Sequence, residues 1–372
     1  MKGMNMMTLK PESAVILIPS LEPDDRLPAY MRRLLAAGFT RAVVVDDGSS
    51  EKYQPIFHEL EEMPGVTVLH HEVNRGKGCA LKTGYTYIRD NIPEASGVIT
   101  ADADGQHTVE DCWKLAEALT ADKRVLYLGS RDFNLPNVPP KSRFGNKTTS
   151  RVFKLFYGQW LPDTQTGLRA FKREDLQFMI DVPGERFEYE MQVLIACARA
   201  KMDMVPITIE TVYENENEGT HFHPIRDSYR IYKVILGSFV KFAGASIASW
   251  VIDQGAFNLM DYLLLPLLIA NDDLCATVAY VIARCISAPC NFLMNRNFVF
   301  KFKKNTGRTA LRYALLALVI LGAGAGTVGV LKLLGLPPAL DWLAKLVVDV
   351  ALYFLSYRVQ DQWVFAPEKE TK

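Results

Sequence analysis

The sequence lacks a surplus of charge of either sign: 42 Lys and Arg stand against 42 Asp and Glu. That balance excludes a uniformly basic nucleic-acid binder and an acidic disordered tail, and no nucleic-acid partner is expected. Cysteine is sparse, at six in 372 residues, and none forms a Cys-x-x-Cys pair or stands at metal spacing from a His. Reduced, mostly buried thiols and a cytosolic first half are the expectation. Residues 1–231 contain no Walker A lysine motif and no Gly-x-Gly-x-x-Gly string. The usual phosphate-binding signatures of NTPases and dinucleotide enzymes are therefore missing from that part. The first ten residues, MKGMNMMTLK, hold no apolar run of signal-peptide length. A hydrophobic content of 49% excludes a disordered chain.

The neutral total conceals two unlike parts. Residues 1–231 carry 28 basic and 33 acidic side chains, whereas residues 232–372 carry 14 and 9. The second part is poor in charge and contains YALLALVILGAGAGTVGVL (313–331), a 19-residue uncharged run. That is close to the length needed to cross the hydrocarbon core of a bilayer, and its glycines suit close helix packing in lipid. Three further apolar stretches, at about 240–265, 274–296 and 341–360, predict four membrane-spanning helices in two hairpins. Lys301, Lys303, Lys304 and Arg308 lie between the second and third helices, whereas only Asp272 and Asp273 lie between the first and second. The positive-inside bias places the basic loop and both termini in the cytosol. FLMNRNFVF (292–300) and FLSYRVQDQWVF (354–365) form a weak internal repeat. Asp253, Arg284, Lys345 and Asp349 fall inside the spans, where mutual pairing is the first expectation and an ion or substrate path the second.

The first part alternates short β-branched runs (14–18, 42–46, 66–70, 98–101, 125–128) with helical patterns (24–38, 53–62, 77–91, 108–120). Such alternation predicts an α/β domain with a parallel sheet covered on both faces. Ligands on such sheets bind beyond the carboxyl ends of strands. The polar motifs IPSLEP (18–23), VDDGSS (45–50) and ADADGQH (101–107) all fall there. In the last, Asp102 and Asp104 alternate along a strand end, so a local turn is needed to bring both to one site. Two hard carboxylates suit Mg²⁺ or Mn²⁺ shared with a diphosphate, with Gln106 as a third oxygen donor. The plainer reading is an acidic turn before a helix that Thr108 caps. NRGKG (74–78) could cradle phosphate at a helix start with Arg75 and Lys77, although an ordinary helix start has the same pattern.

Residues 141–160 carry Arg143, Lys147, Arg151 and Lys154 at helical spacing, with Phe144, Val152, Phe153, Leu155, Phe156 and Trp160 on the other side. This is the pattern of an interfacial helix on a lipid surface, or of a surface helix packed on its own domain.

The ordered set IPSLEP, VVVDDGSS, NRGKGCALKTG, ITADADGQH, LGSRDF (128–133), KSRFGNKTTS (141–150) and DTQTGLRAF (163–171) resembles family 2 glycosyltransferases with the GT-A fold. Within them it is most similar to the polyprenyl-phosphate glycosyltransferases, which include the dolichol-phosphate mannose synthases. The resemblance covers roughly residues 12–215, and residues from about 236 to 366 resemble the GtrA-like membrane domain. It implies a GT-A (Rossmann-like) catalytic domain at 1–226, a juxtamembrane connector at 227–240 and an all-α domain of four transmembrane helices at 241–366. It also implies inverting transfer of a hexose from a nucleotide sugar, GDP-mannose or UDP-glucose, to a polyprenyl phosphate. The setting is the cytosolic face of a plasma membrane. Pro19, Glu22 and Asp47, with Asp46 beside them, would serve the nucleoside. Asp102, Asp104 and Gln106 would hold the metal and, with Ala103 between them and Lys77 nearby, the donor diphosphate.

By the same resemblance Arg131 and Arg143 would hold the acceptor phosphate, joined by Lys147. Asp163 and Gln165 would frame the sugar pocket. Glu188 and Glu190 of RFEYEM (186–191) are candidates for polar lining of the pocket, with helix-surface acids as the plainer reading. The pattern departs near the end of the domain, where Tyr213 and THFHP (220–224) replace an Arg and a Ser-Lys. His221, with His223, would substitute for the lysine. The acceptor phosphate is already an anion, so no general base is assigned. The Gln-x-x-Arg-Trp motif of processive polysaccharide synthases does not occur. The alternative from another class is a lipid-linked sugar flippase or scaffold in which the transferase domain is secondary.

Overall fold

The computed structural model describes residues 10–119, 123–136, 138–210, 224–265, 272–302, 305–333 and 340–365. The chain forms two compact units that divide between Ile235 and Leu236.

The first unit is built on a seven-stranded sheet. Its strands are β1 (Ala14–Ser20), β2 (Ala42–Asp46), β3 (Val66–His70), β4 (Gly97–Thr100), β5 (Val125–Arg131), β6 (Arg169–Lys172) and β7 (Asp203–Ile209). In space they run β3-β2-β1-β4-β6-β5-β7. The first four are parallel neighbours, as their continuous apolar runs predict. The expectation of a wholly parallel sheet fails at β6, which runs antiparallel to both β4 and β5. At four residues, inside a segment that reads as a polar motif, β6 has no strand signature of its own. β7 escaped notice because Pro206 interrupts it. It lies at the sheet edge, where proline is tolerated. The resulting mixed α/β sheet is of the GT-A type.

The helices that matter for the site are α1 (Arg26–Ala36), α2 (Gln54–Glu61), α3 (Lys77–Asn91), α4 (Val109–Ala118), α5 (Pro140–Tyr157), α6 (Leu176–Asp181) and α7 (Glu188–Arg199). Ile16, Ile18, Val44 and Ile99 on one sheet face pack with Leu27, Tyr30 and Leu34 of α1, Phe57 and Leu60 of α2, and Cys112 and Leu115 of α4. All are essentially inaccessible, and burying such side chains contributes about 1.5–3 kcal/mol each. A layered core of this kind leaves the strand ends as an edge where polar groups can gather.

The second unit contains most of α8 (Pro224–Leu259), then α9 (Asp272–Met294), α10 (Thr306–Leu333) and α11 (Asp341–Val359). Three described helical segments, Tyr229–Leu264, Leu274–Val299 and Thr306–Gly324, are long and apolar enough to cross a membrane. α11, with Asp341, Lys345, Asp349 and Arg358 in its 19 residues, is not among them. Trp250, Leu318, Leu321 and Val350 are more than 60% exposed, a pattern that suits lipid as the surrounding solvent. Inside, Asp253 accepts a 2.6 Å hydrogen bond from Ser287 and lies 3.4 Å from Arg284. Two of the intramembrane charges are therefore paired, as expected. The repeat has a structural counterpart too. Both segments end in a turn of π-helix, Asn295–Val299 and Gln360–Val364. Asn295 Nδ2 donates to Gln360 Oε1 at 3.1 Å, and Phe300 stacks on Phe365 at 4.9 Å between centroids.

Candidate active site

The turn that leaves β4 carries Asp102 and Asp104. Gly105 takes a left-handed φ of +72°, which an L side chain rarely adopts. The Gln106 backbone N–H folds back to donate to Asp104 Oδ1 at 3.0 Å. A local turn of the kind two alternating aspartates require is therefore present between β4 and α4. Thr108 does cap α4, accepting from Asp111 N at 3.1 Å, so capping and the acidic turn coexist.

Asp102 sits between a lysine and a histidine. Lys77, the first residue of α3, donates from Nζ to Asp102 Oδ1 at 2.7 Å and reaches Glu190 Oε1 of α7 at 3.0 Å. His107 Nε2 lies 3.3 Å from Asp102 Oδ2. Burial opposes the charge on Asp102, but Lys77 and His107 outweigh it and hold the carboxyl far below the usual range. Asp104 moves the other way: burial and the neighbouring Asp102 charge raise it above 3.8. Burial likewise opposes the Lys77 charge, yet Asp102 and Glu190 raise its pKa.

Two carboxylates of which one resists ionisation beside the other fit a hard divalent ion, whose charge would relieve that repulsion. Among the described residues no three His, Cys, Asp or Glu side chains are grouped to hold a metal. A metal on Asp102 and Asp104 would therefore need neutral or ligand oxygens, the Gln106 amide among them.

The loop Asp163–Leu168 closes one side. Thr100 Oγ1 donates to Gly167 O at 2.7 Å. A Cβ on Gly167 would meet the Asp102 carboxylate at 2.5 Å. Arg169 donates to Thr166 O and Glu190 O, tying this loop to α7. Glu190 is thus not the helix-surface acid its pattern suggests: its side chain is 14% exposed and turned to Lys77. Glu188 instead accepts the backbone N–H groups of Glu185 and Arg186 ahead of α7.

At the β1 and β2 ends, Pro19 pairs in register with Val45, and Glu22 has a φ of +50° and donates its N–H to Ser49 Oγ at 2.8 Å. The buried Asp47 accepts from Arg75 N at 3.0 Å and Gly76 N at 2.7 Å, and its Oδ1 lies 2.7 Å from His71 Nδ1. It thereby fixes the loop that delivers Lys77. Asp46 accepts from Ser49 N at 2.8 Å and from Gln54, and its Oδ2 lies 3.0 Å from His70 Nδ1.

Burial disfavours the charge on His70, but hydrogen bonds to Asp46 and Glu61 outweigh it and raise its pKa above 6.5. Burial also opposes the Asp46 charge, and hydrogen bonds from Ser49, His70 and Gln54 bring its pKa below 3.8. The His70 contribution to stability is therefore complete below 6.5 and disappears as pH rises through the raised value. Melting temperatures of wild type and His70→Gln, measured across that range, should differ most on the acid side and converge on the alkaline side. A difference that grows with pH would contradict the assignment.

Arg131, at the end of β5, forms a two-point ion pair with Asp163, with Nε to Oδ2 at 2.7 Å and a second nitrogen to Oδ1 at 3.2 Å. Its guanidinium lies 5.1 Å from the Phe133 ring centroid. Arg143 of α5 donates to Leu135 O at 2.8 Å and Lys147 to Asn134 Oδ1 at 2.8 Å. The three cations named from the sequence thus bear on one segment, Arg131–Leu135. Gln165 is exposed in the Asp163–Leu168 loop, and its N–H donates to Asp163 Oδ1 at 3.0 Å.

The amphipathic reading of α5 holds in part. Phe153 and Phe156 pack inward, whereas Phe144 is 73%, Leu155 51% and Trp160 48% exposed. Both the domain-packing and the outward-facing apolar surfaces are therefore real. Tyr213, His221 and His223 lie outside the described residues.

His71, His107 and Gly167 were not singled out from the sequence, and Glu190 was read chiefly as a surface acid. His107 stands in the ADADGQH motif and was legible there. The other three act through contacts distant in sequence.

Residues 15–179 match the model of glycosyl transferase family 2, and residues 241–365 match the GtrA/DPMS transmembrane domain. An uncharacterized protein of Methanocaldococcus jannaschii is 30% identical over 225 residues, 59% of this chain and 90% of its own length. The UDP-N-acetylglucosamine–dolichyl-phosphate N-acetylglucosaminyltransferase of Methanococcus voltae is 28% identical, over 53% of this chain and 85% of its own. The polyprenol monophosphomannose synthase of Mycolicibacterium smegmatis is 27% identical, over 51% and 74%. The fold, the acidic turn and these matches define a sugar transferase of the GT-A type joined to a membrane domain. The chain belongs to glycosyl transferase family 2 and is a membrane protein.

Proposed function

We propose that the chain transfers a hexose from a nucleotide sugar to a polyprenyl phosphate at the cytosolic face of the membrane, with inversion at the anomeric carbon and with a divalent metal. The observation that carries this reading is the pair Asp102 and Asp104 with the Lys77 ammonium 2.7 Å from Asp102. That cluster suits a diphosphate, since it offers both a metal-binding carboxylate pair and a fixed cation. Relatives named for transfer to dolichyl phosphate and for polyprenol monophosphomannose synthesis support the acceptor, and GDP-mannose and UDP-glucose are the leading donors.

Asp102, Asp104 and Gln106 would hold Mg²⁺ or Mn²⁺. When bound, the ion offsets charge developing on the departing nucleoside diphosphate. Pro19 and Glu22 would border the nucleoside, while Asp46 and Asp47 shape that wall from beneath. Arg131, kept in plane by Asp163, with Arg143 and Lys147, would position the acceptor phosphate. That phosphate is anionic at neutral pH, so orientation rather than deprotonation is what the protein supplies.

The exposed Phe144, Leu155 and Trp160, interleaved with Arg151 and Lys154, would rest on the cytosolic leaflet. The basic loop 301–308 and the positive-inside bias support that side. A panel of radiolabelled nucleotide sugars with polyprenyl phosphate, with and without Mn²⁺, tests the proposal. One donor should yield a labelled lipid that chelation abolishes. Movement of lipid-linked sugar across vesicles without any synthesis would favour the flippase instead.

A further inference from the structure

Lys77 touches two carboxylates that differ in their other duties. Asp102 belongs to the acidic turn and is one of the two oxygen donors suited to a divalent ion. Glu190 lies across the site on α7, and neither Asp104 nor His107 pairs with it. The ammonium is 2.7 Å from the first and 3.0 Å from the second. All three side chains are largely withdrawn from water, with exposures of 17% for Lys77, 33% for Asp102 and 14% for Glu190.

A divalent ion on Asp102 would be brought beside an ammonium already bonded to the same carboxylate. Two cations on one carboxylate repel, and withdrawal from water weakens the screening that would hide it. The ammonium need not leave the site, because Glu190 offers it a second seat.

We propose that Lys77 is a placeholder cation: it neutralises Asp102 while the metal is absent. With a divalent ion on Asp102, Lys77 would be held by Glu190 and turned toward the incoming diphosphate. Glu190 is then a positioning residue that keeps Lys77 in reach. This inference rests on the metal reading of Asp102 and Asp104 given above, and adds the handover and the role of Glu190.

The two partners have opposite predicted effects, and the double variant separates a handover from fixed charges, whose effects would cancel in it. Lys77→Met removes the competitor, so Mn²⁺ titrated alone into the full-length protein in nanodiscs should bind about tenfold more tightly. UDP or GDP added to the Mn²⁺-loaded variant should bind more weakly than to wild type. Glu190→Gln removes the second seat and leaves Lys77 wholly on Asp102, so Mn²⁺ should bind more weakly. The double variant should behave as Lys77→Met. Circular dichroism on each variant keeps the comparison to folded protein.

Mn²⁺ affinity unchanged or lowered in folded Lys77→Met would overturn the placeholder role alone. An increase in both single variants would overturn the part given to Glu190. Absence of Mn²⁺ binding by wild type would instead sink the metal reading and the handover together.

Discussion

Replacing Asp104 with alanine should abolish metal-dependent transfer, with a fall of about 10³-fold or more in kcat, while the protein folds normally. Both halves follow from one local feature. Asp104 is held above the ordinary aspartate value of 3.8 by burial and by the charge of Asp102. A carboxylate with a raised pKa is an unfavourable anion in the metal-free fold, because stability falls as pH climbs through the raised value. Removing it should leave the melting temperature unchanged or slightly higher. The lost turn hydrogen bond from Gln106 N works against that gain and keeps it small.

Asp102→Ala is a different case. Asp102 is stabilised by Lys77 and His107, so its loss strips a partner from each, although Glu190 still holds Lys77. That variant should lose both activity and stability. A labelled-lipid assay beside thermal unfolding reads both quantities. Full activity in Asp104→Ala would remove the metal assignment. Loss of folding in the same variant would show that the turn serves structure first.

In the parallel half of the sheet β1, β2 and β4 were legible because they are buried on both faces and so read as apolar runs, and the half-buried edge strand β3 was legible from its β-branched residues. β2 and β3 occupy the residues expected, Ala42–Asp46 and Val66–His70. β6 was not legible, because a four-residue strand has no room for a period and its Arg169 reads as polar surface. It is in fact buried, held by carbonyl oxygens of Thr166 and Glu190. The site divides the same way.

Asp102, Asp104 and Lys77 carry chemistry in their own side chains and stood out within short motifs. Glu190 has no such mark: a helical acid looks alike whether it faces water or an ammonium brought from 113 residues away. Asp47 shows a subtler limit. Its motif marked it as a nucleoside contact, yet the carboxylate is committed to two backbone N–H groups and His71. Its evident work is to hold the loop ahead of α3, which no spacing rule reveals.

Gly167→Ala should cost about 100-fold in kcat/KM although no functional group is removed, since displacements near 1 Å from a productive geometry have effects of that order. The added Cβ would lie 2.5 and 2.6 Å from the two Asp102 carboxylate oxygens, closer than real Cβ atoms come. Something must move, and the neighbours resist. The Gly167 carbonyl is bonded to Thr100 Oγ1 at 2.7 Å, inside β4. The loop is tied to α7 through Arg169. The Asp102 carboxylate is itself held by Lys77 and His107.

Of these, the side-chain contacts yield more easily than the backbone, so Asp102 should shift and both its metal and Lys77 contacts should weaken. Mn²⁺ affinity should then fall together with kcat/KM. Gly145→Ala provides the stability comparison. Its Cβ meets nothing within 4 Å in the middle of α5. A helical Gly→Ala change there should raise stability by roughly 0.5–1 kcal/mol. Unfolding curves for the two alanine variants should therefore move in opposite directions. If Gly167→Ala keeps wild-type Mn²⁺ affinity and kcat/KM, Asp102 is free to relax, and its present contacts are not what sets the chemistry of the site.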